Sequence, residues 1–406
     1  MKRRKWLVIG IFALCAVALL TGCNASQQAA PPQPTPTATP APEKSLEEQL
    51  QEQIDEIMQV KLRALETQDY DLYLSTVTDW DSYYHNEQAR WYSEMIKPVI
   101  SDITFDVLSV TPINENSLEA EIHQTHTGNG EQFDFTYPLL FQLDDGEWKD
   151  YGYHFECVER PSYTLKYMPG ETRVDEFLEM IDVAYQNLET VFAEKADDHF
   201  EIKLFWDREM LRQRTVPSMA WLFTGWGEPN ESLKLYTGHP DILGYQGTIQ
   251  HELVHHITIR ICNNNLADWI LEGTAIYYGN AYYDYSLSSA LANMNKENLR
   301  QTIDELDAMD LYHPDSEQQV WDWYNTGFGY VAYLVETYGH DRFMDLYYEA
   351  GKKPFNDSVA NENFKADNIE TTREALDTVL GITPEQLSQD YLVWLDTTDF
   401  FDPKAE

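Results

Sequence analysis

Residues 251 to 279, HELVHHITIRICNNNLADWILEGTAIYYG, constrain this chain more than any other stretch, because they prescribe two helices that fold back on one another. An amphipathic pattern runs from about Tyr245 to Ile261 and stops at three asparagines, a residue type that tolerates the left-handed conformation of a helix C-cap. A second helix restarts at about Ala267. His251 and His255 are four positions apart, so both imidazoles project from the same face of the first helix, one turn apart. Sixteen residues separate His255 from Glu272, enough for the end of the first helix, a loop and the first turn of the returning one. Two neutral imidazoles and a carboxylate form the donor set of a catalytic zinc site, which keeps a fourth position open. Glu252, beside His251 on the same helix, is then placed to act as general base. The expected metal ligands are therefore His251, His255 and Glu272, with Zn2+ as cofactor.

In this context "HELVHH" followed by "WILEGTAIYY" resembles the gluzincin metallopeptidases, the clan of thermolysin and the membrane alanyl aminopeptidases. Trp269, Glu272, Gly273 and Ala275 match that clan's Trp-Leu-x-Glu-Gly-x-Ala segment residue by residue. Downstream, "YNTGFGYVAYL" is similar to the aminopeptidase segment whose tyrosine donates a hydrogen bond to the oxyanion of the tetrahedral intermediate. Tyr324 takes that position, Gly327 and Leu334 agree, and Thr326 replaces a lysine. The resemblance extends over about residues 161 to 398 and implies a zinc metallopeptidase acting on a peptide or protein substrate, with catalytic residues Glu252 and Tyr324. It departs from the aminopeptidases upstream. Their Gly-x-Met-Glu-Asn, which anchors a free amino group, has as its nearest counterpart "GWGEPN", without the methionine and with Pro229 between Glu228 and Asn230. Endopeptidase and aminopeptidase readings both stay open.

The chain begins with the pattern of an export signal, basic from Lys2 to Lys5 and apolar from Trp6 to Leu20. Leu20-Thr21-Gly22-Cys23 resembles a bacterial lipobox, which implies acylation of Cys23 after removal of residues 1–22. The Pro-, Ala- and Thr-rich stretch 23–44 cannot build a core and reads as a tether. The expected location is the outer face of the cytoplasmic membrane, held there by the lipid. The 69 acidic residues outnumber 28 basic ones for a net charge of −41, which argues against nucleic acid as a partner.

The fold class expected is α+β in two parts. Residues 45–160 carry a helix with a capping box at Ser45 and Glu48, then four runs of period two, "ITFDVLSVTPI", "SLEAEIHQTHT", "QFDFTYPLLFQLD" and "EWKDYGYHFE". That order resembles the nuclear-transport-factor-like cone folds. Residues 161–404 form the mostly helical, gluzincin-type part. There is no phosphate-binding glycine loop and no Gly-x-Ser-x-Gly elbow, so nucleotide chemistry and serine hydrolysis have no residues to stand on.

Other candidates carry less. His123 and His126, three apart in a strand, point to opposite faces and are not a metal pair. His256 lies about 100° around the helix from His255 and should face elsewhere. Cys157 and Cys262 are expected as two buried thiols rather than a disulfide framework. The competing reading is a ligand-binding lipoprotein on a catalytically degenerate metallopeptidase scaffold.

Overall fold

A computed structural model describes residues 44–192, 199–240, 244–280 and 296–398; the export signal, Cys23 and the tether lie outside them. The described chain is α+β, with two sheets and helices packed on both. The first helix, α1 (Leu46–Thr67), opens with the capping box that Ser45 and Glu48 announce: each satisfies a backbone amide at the other's position. Two further helices, α2 (Tyr70–Leu74) and α3 (Ser82–Met95), precede an antiparallel meander of β1 (Ile100–Asn114), β2 (Ser117–Gly128), β3 (Glu131–Asp144) and β4 (Glu147–Gly152). The alternation of side chains puts Leu118, Ala120 and Ile122 on the covered face. It also separates the two histidines: His126 is buried against Phe133 while His123 bonds Asp134 near solvent.

The second sheet runs in the order β5 (Glu156–Glu159), β6 (Tyr163–Tyr167), β7 (Phe200–Phe205), β9 (Leu233–Tyr236) and β8 (Gly225–Trp226). Its three middle strands are parallel, and both edges, β5 and β8, are antiparallel to their neighbours. Two expectations are corrected here. The run "EWKDYGYHFE" is not one strand: it holds β4, and its last residue, Glu156, begins β5 of the second sheet. Cys157 is exposed because β5 is an edge strand; Cys262 is buried, and the two are free thiols. Between β7 and residue 240 lie helix α5 (Arg208–Thr215) and strands β8 and β9, elements too short to display a hydrophobic period.

Helix α4 (Val174–Phe192) packs against α6 (Tyr245–Ile261), and the chain turns back through the three asparagines into α7 (Asp268–Asn280). Asn263 and Asn264 take φ of 51° and 58°, the left-handed turn the sequence calls for. Their side chains then bind the 351–356 segment: Asn263 donates to Gly351 O at 2.7 Å, Asn264 to Asn356 O at 2.9 Å, and Asn265 to Pro354 O at 2.9 Å. After α8 (Ile303–Ala308), the long α9 (Glu317–Tyr338) crosses α7 at Gly273 and Gly327. A β-carbon on Gly273 would stand 2.4 Å from Gly327 O, so only two glycines allow this approach. Helices α10 (His340–Ala350), α11 (Phe364–Ala375) and α12 (Pro384–Thr397) close the unit. Among the described residues no helix is long and apolar enough to cross a membrane.

The described residues from 45 onward belong to one compact unit, and buried charges tie helix α3 to the second sheet. Glu87 on α3 accepts from Lys203 on β7 at 2.8 Å and pairs with Lys234 on β9 at 3.3 Å; it also accepts from the Ser232 amide. One turn on, Arg90 pairs with Glu231 at 2.6 Å and Glu228 at 2.9 Å. Burial alone raises the pKa of Glu87, but Lys203 and Lys234 outweigh it and bring the carboxyl down from 4.5 to about 2. A carboxylate whose folded pKa is depressed adds stability above its unfolded value and loses it as pH falls through the folded one. Urea unfolding of the wild type should therefore lose about 3 kcal/mol more than Glu87→Gln between pH 4.5 and 2. Parallel curves for the two proteins would refute this role of Glu87.

Candidate active site

Three side chains from α6 and α7 converge on one point. His251 Nε2 and His255 Nε2 are 3.1 Å apart, and Glu272 Oε2 lies 3.3 Å from the first and 3.2 Å from the second. The α6 spacing of four sets the two rings one turn apart, and the asparagine turn returns α7 antiparallel so that Glu272 meets them. A tetrahedral ion held at about 2.0–2.1 Å has ligand-to-ligand edges of about 3.3 Å. The donor triangle has that size and that chemistry, so these residues fit a zinc ion. The carboxylate is ready for a cation: burial works against its charge, but His255 and His251 outweigh this and hold Glu272 well below the usual carboxylate range.

Glu252 is buried beside this triangle and has no hydrogen-bond partner among the described residues. Burial pushes its pKa up from 4.5 to about 7, opposed by His251 and reinforced by Glu272. The edge strand β8 runs directly against it. A β-carbon at Gly225 would come 2.1 Å from Glu252 Oε1, and one at Gly227 would come 3.4 Å from Oε2. Gly225 thus lets a strand backbone pass where a side chain would displace the carboxylate.

Tyr324 reaches the same place from α9. Burial, then the charges of Glu272 and Glu252, raise its pKa well above the usual phenol value, so the hydroxyl is held as a donor facing the Glu272 carboxylate. The Gly273–Gly327 crossing explains this placement, since Glu272 and Tyr324 sit one residue and three residues from the contact. His251, Glu252 and Tyr324 open onto a cavity of about 560 Å3 whose other walls include Trp221, Phe223 and Trp321. Trp221 and Trp321 each stand 6.4 Å from the Tyr324 ring.

Among the sequence-proposed residues, His251, His255, Glu272, Glu252 and Tyr324 come together. Glu228 pairs with Arg90 and lines a second cavity, which His255 also borders together with His256 and Arg260. His256 stacks on Phe200 at 4.5 Å, on the side of α6 away from the triangle. The tryptophans of the cavity and the strand against Glu252 were not legible beforehand, because they come from segments more than twenty residues up- or downstream with no spacing of their own.

No family model and no curated protein matches this chain. Among solved structures it is similar to an NTF-2 like protein of unknown function from Shewanella oneidensis MR-1, at 9% identity, over 24% of this chain and 92% of that one, with a TM-score of 0.21. A likeness that weak carries no functional statement.

The ligand assignment has a direct test. The wild type should bind one Zn2+ per chain, measured by atomic absorption after dialysis, and Glu272→Ala should weaken binding by about a hundredfold or more, beyond what loss of an outer-shell partner does. Unchanged affinity in that variant would exclude Glu272 as a ligand.

Proposed function

We propose that this chain is a zinc metallopeptidase of the gluzincin type, exported and held by a lipid on Cys23 at the outer face of the cytoplasmic membrane. The observation that carries the reading is the triangle of His251, His255 and Glu272 donor atoms, 3.1 to 3.3 Å on a side, with an unpartnered buried Glu252 beside it. Three protein donors leave a tetrahedral ion one open position, which a purely structural site would fill with a fourth side chain. Zn2+ held there would supply Lewis-acid polarisation of a peptide carbonyl and acidify water at neutral pH.

The chain's own residues account for the remaining tasks. Glu252 accepts the proton of the attacking water and returns it to the departing amine, a role suited to a carboxyl with a pKa of about 7. Tyr324, protonated and directed at the same point, donates to the oxygen on which negative charge develops. As an edge strand antiparallel to β9, β8 offers an extended peptide a strand to pair with next to Glu252. The aromatic walls of the adjoining cavity suit a bulky apolar side chain.

Glu252→Gln should keep Zn2+ at one per chain and lose nearly all cleavage of a peptide library, with chelator abolishing the wild-type activity. Metal binding without any cleavage in the wild type would instead favour a degenerate scaffold that binds ligands. In the same assay Tyr324→Phe should lower kcat by about a hundredfold with KM little changed, the cost of one oxyanion donor. An unaltered kcat would remove Tyr324 from the chemistry.

A further inference from the structure

We infer that the chain contains a binding site for a small organic monocarboxylate, formed by Arg214 and Tyr153 in a cavity between the two sheets. Arg214, near the end of α5, is only 9% exposed, and its guanidinium lies over the rings of Tyr137 at 4.4 Å, Tyr153 at 5.1 Å and Trp91 at 5.8 Å. Among the described residues no carboxylate lies within ion-pair distance of it.

The contrast with its neighbours is sharp. The cavity, about 120 Å3, is also lined by Lys166, Lys203 and Lys234. These three lysines share four carboxylates: Asp81 and Glu201 for Lys166, Glu87 and Glu201 for Lys203, Glu87 and Glu231 for Lys234. The carboxylate whose charge reaches Arg214 is Asp150, and it is already engaged. Lys61 holds it at 2.5 Å, the Tyr84 hydroxyl at 2.9 Å and the Gly152 amide at 2.9 Å. The buried set of Lys61, Arg214 and Asp150 thus contains two cations and one anion. Burial first, and Arg214 to a lesser degree, press the Lys61 ammonium below its ordinary pKa while Asp150 opposes them. A guanidinium without a direct ion pair in so dry a place is a ready partner for an incoming anion.

The cavity narrows the anion to a class. Tyr153, 7% exposed, has a buried hydroxyl with no partner, available as a second donor. Leu140, Phe155 and Phe205 make an apolar wall, so the bound species has an apolar body as well as a charged head. Arg214 has no carboxylate of its own, but the acidic Asp81 and Glu87 also face the space, which favours a monoanion over a dianion. The mouth lies where Lys166, Asp81 and the exposed Cys157 meet solvent. None of these residues belongs to the His251–His255–Glu272 cluster, so the site stands whether or not the chain cleaves peptides.

Calorimetric titration of the full-length chain in detergent tests this with three probes: benzoate, its neutral analogue benzamide, and inorganic phosphate. Benzoate should bind one per chain and raise the Tm, while benzamide and phosphate should do neither. Arg214→Gln should weaken benzoate binding about tenfold or more, the loss of one charge-assisted contact. Should that variant fail to fold, Tyr153→Phe serves in its place, with several-fold weaker binding and an unchanged Tm without ligand. Equal binding of benzoate and benzamide would overturn the proposal and leave a merely hydrated guanidinium. So would no benzoate binding at millimolar concentration, tighter phosphate binding, or wild-type affinity in either variant.

Discussion

The close crossing of α7 and α9 is the constraint on which the candidate site depends. Gly273 and Gly327 bring two helix backbones to a distance that excludes any β-carbon. The donor atom of Glu272 and the phenol of Tyr324 flank that contact, so their mutual position follows from backbone packing and not from side-chain reach. A helix pair held so tightly cannot slide by a fraction of a turn without a clash, because interiors are close-packed and tolerate little volume change. The same crossing buries Trp269 and Tyr330 against each other, and the aromatic core behind the site grows from there.

A second dependence runs across the whole compact unit. The edge strand β8 passes Glu252, and the turn that follows it is held by Arg90 through Glu228 and Glu231. Arg90 comes from α3, more than a hundred residues earlier in the chain. The N-terminal helices are thereby part of what positions the strand beside the buried carboxylate. Buried ion pairs contribute little net stability, but breaking one leaves a stranded charge, so they serve well to specify a single arrangement. Here the arrangement specified is one strand edge against one glutamate.

The elements legible in advance were those with a strong local signal. Helix α6 spans Tyr245–Ile261 as its periodicity indicates, the asparagines do turn left-handed, and the capping box at Ser45 forms. The four period-two runs became strands, although the last divides between two sheets. Strands β8 and β9 were invisible because two and four residues carry no period, and what makes them strands is pairing with a neighbour. Cys157 was placed wrongly for a related reason: a residue's burial on a sheet depends on which strands flank it.

The sequence by itself determined the chemical inventory of the site: two imidazoles on one helix face, a carboxylate between them, and a third donor on a helix that an asparagine stop returns. Those are local facts, set by a spacing of four and by backbone preferences of single residues. Only the tertiary structure decided that Glu228 is spent on Arg90, that β8 runs against Glu252, and that Arg214 is buried without a carboxylate. Each of these is a meeting of residues far apart in the chain. Such meetings are fixed by which surfaces pack and which charges find partners, quantities that no window along a sequence contains.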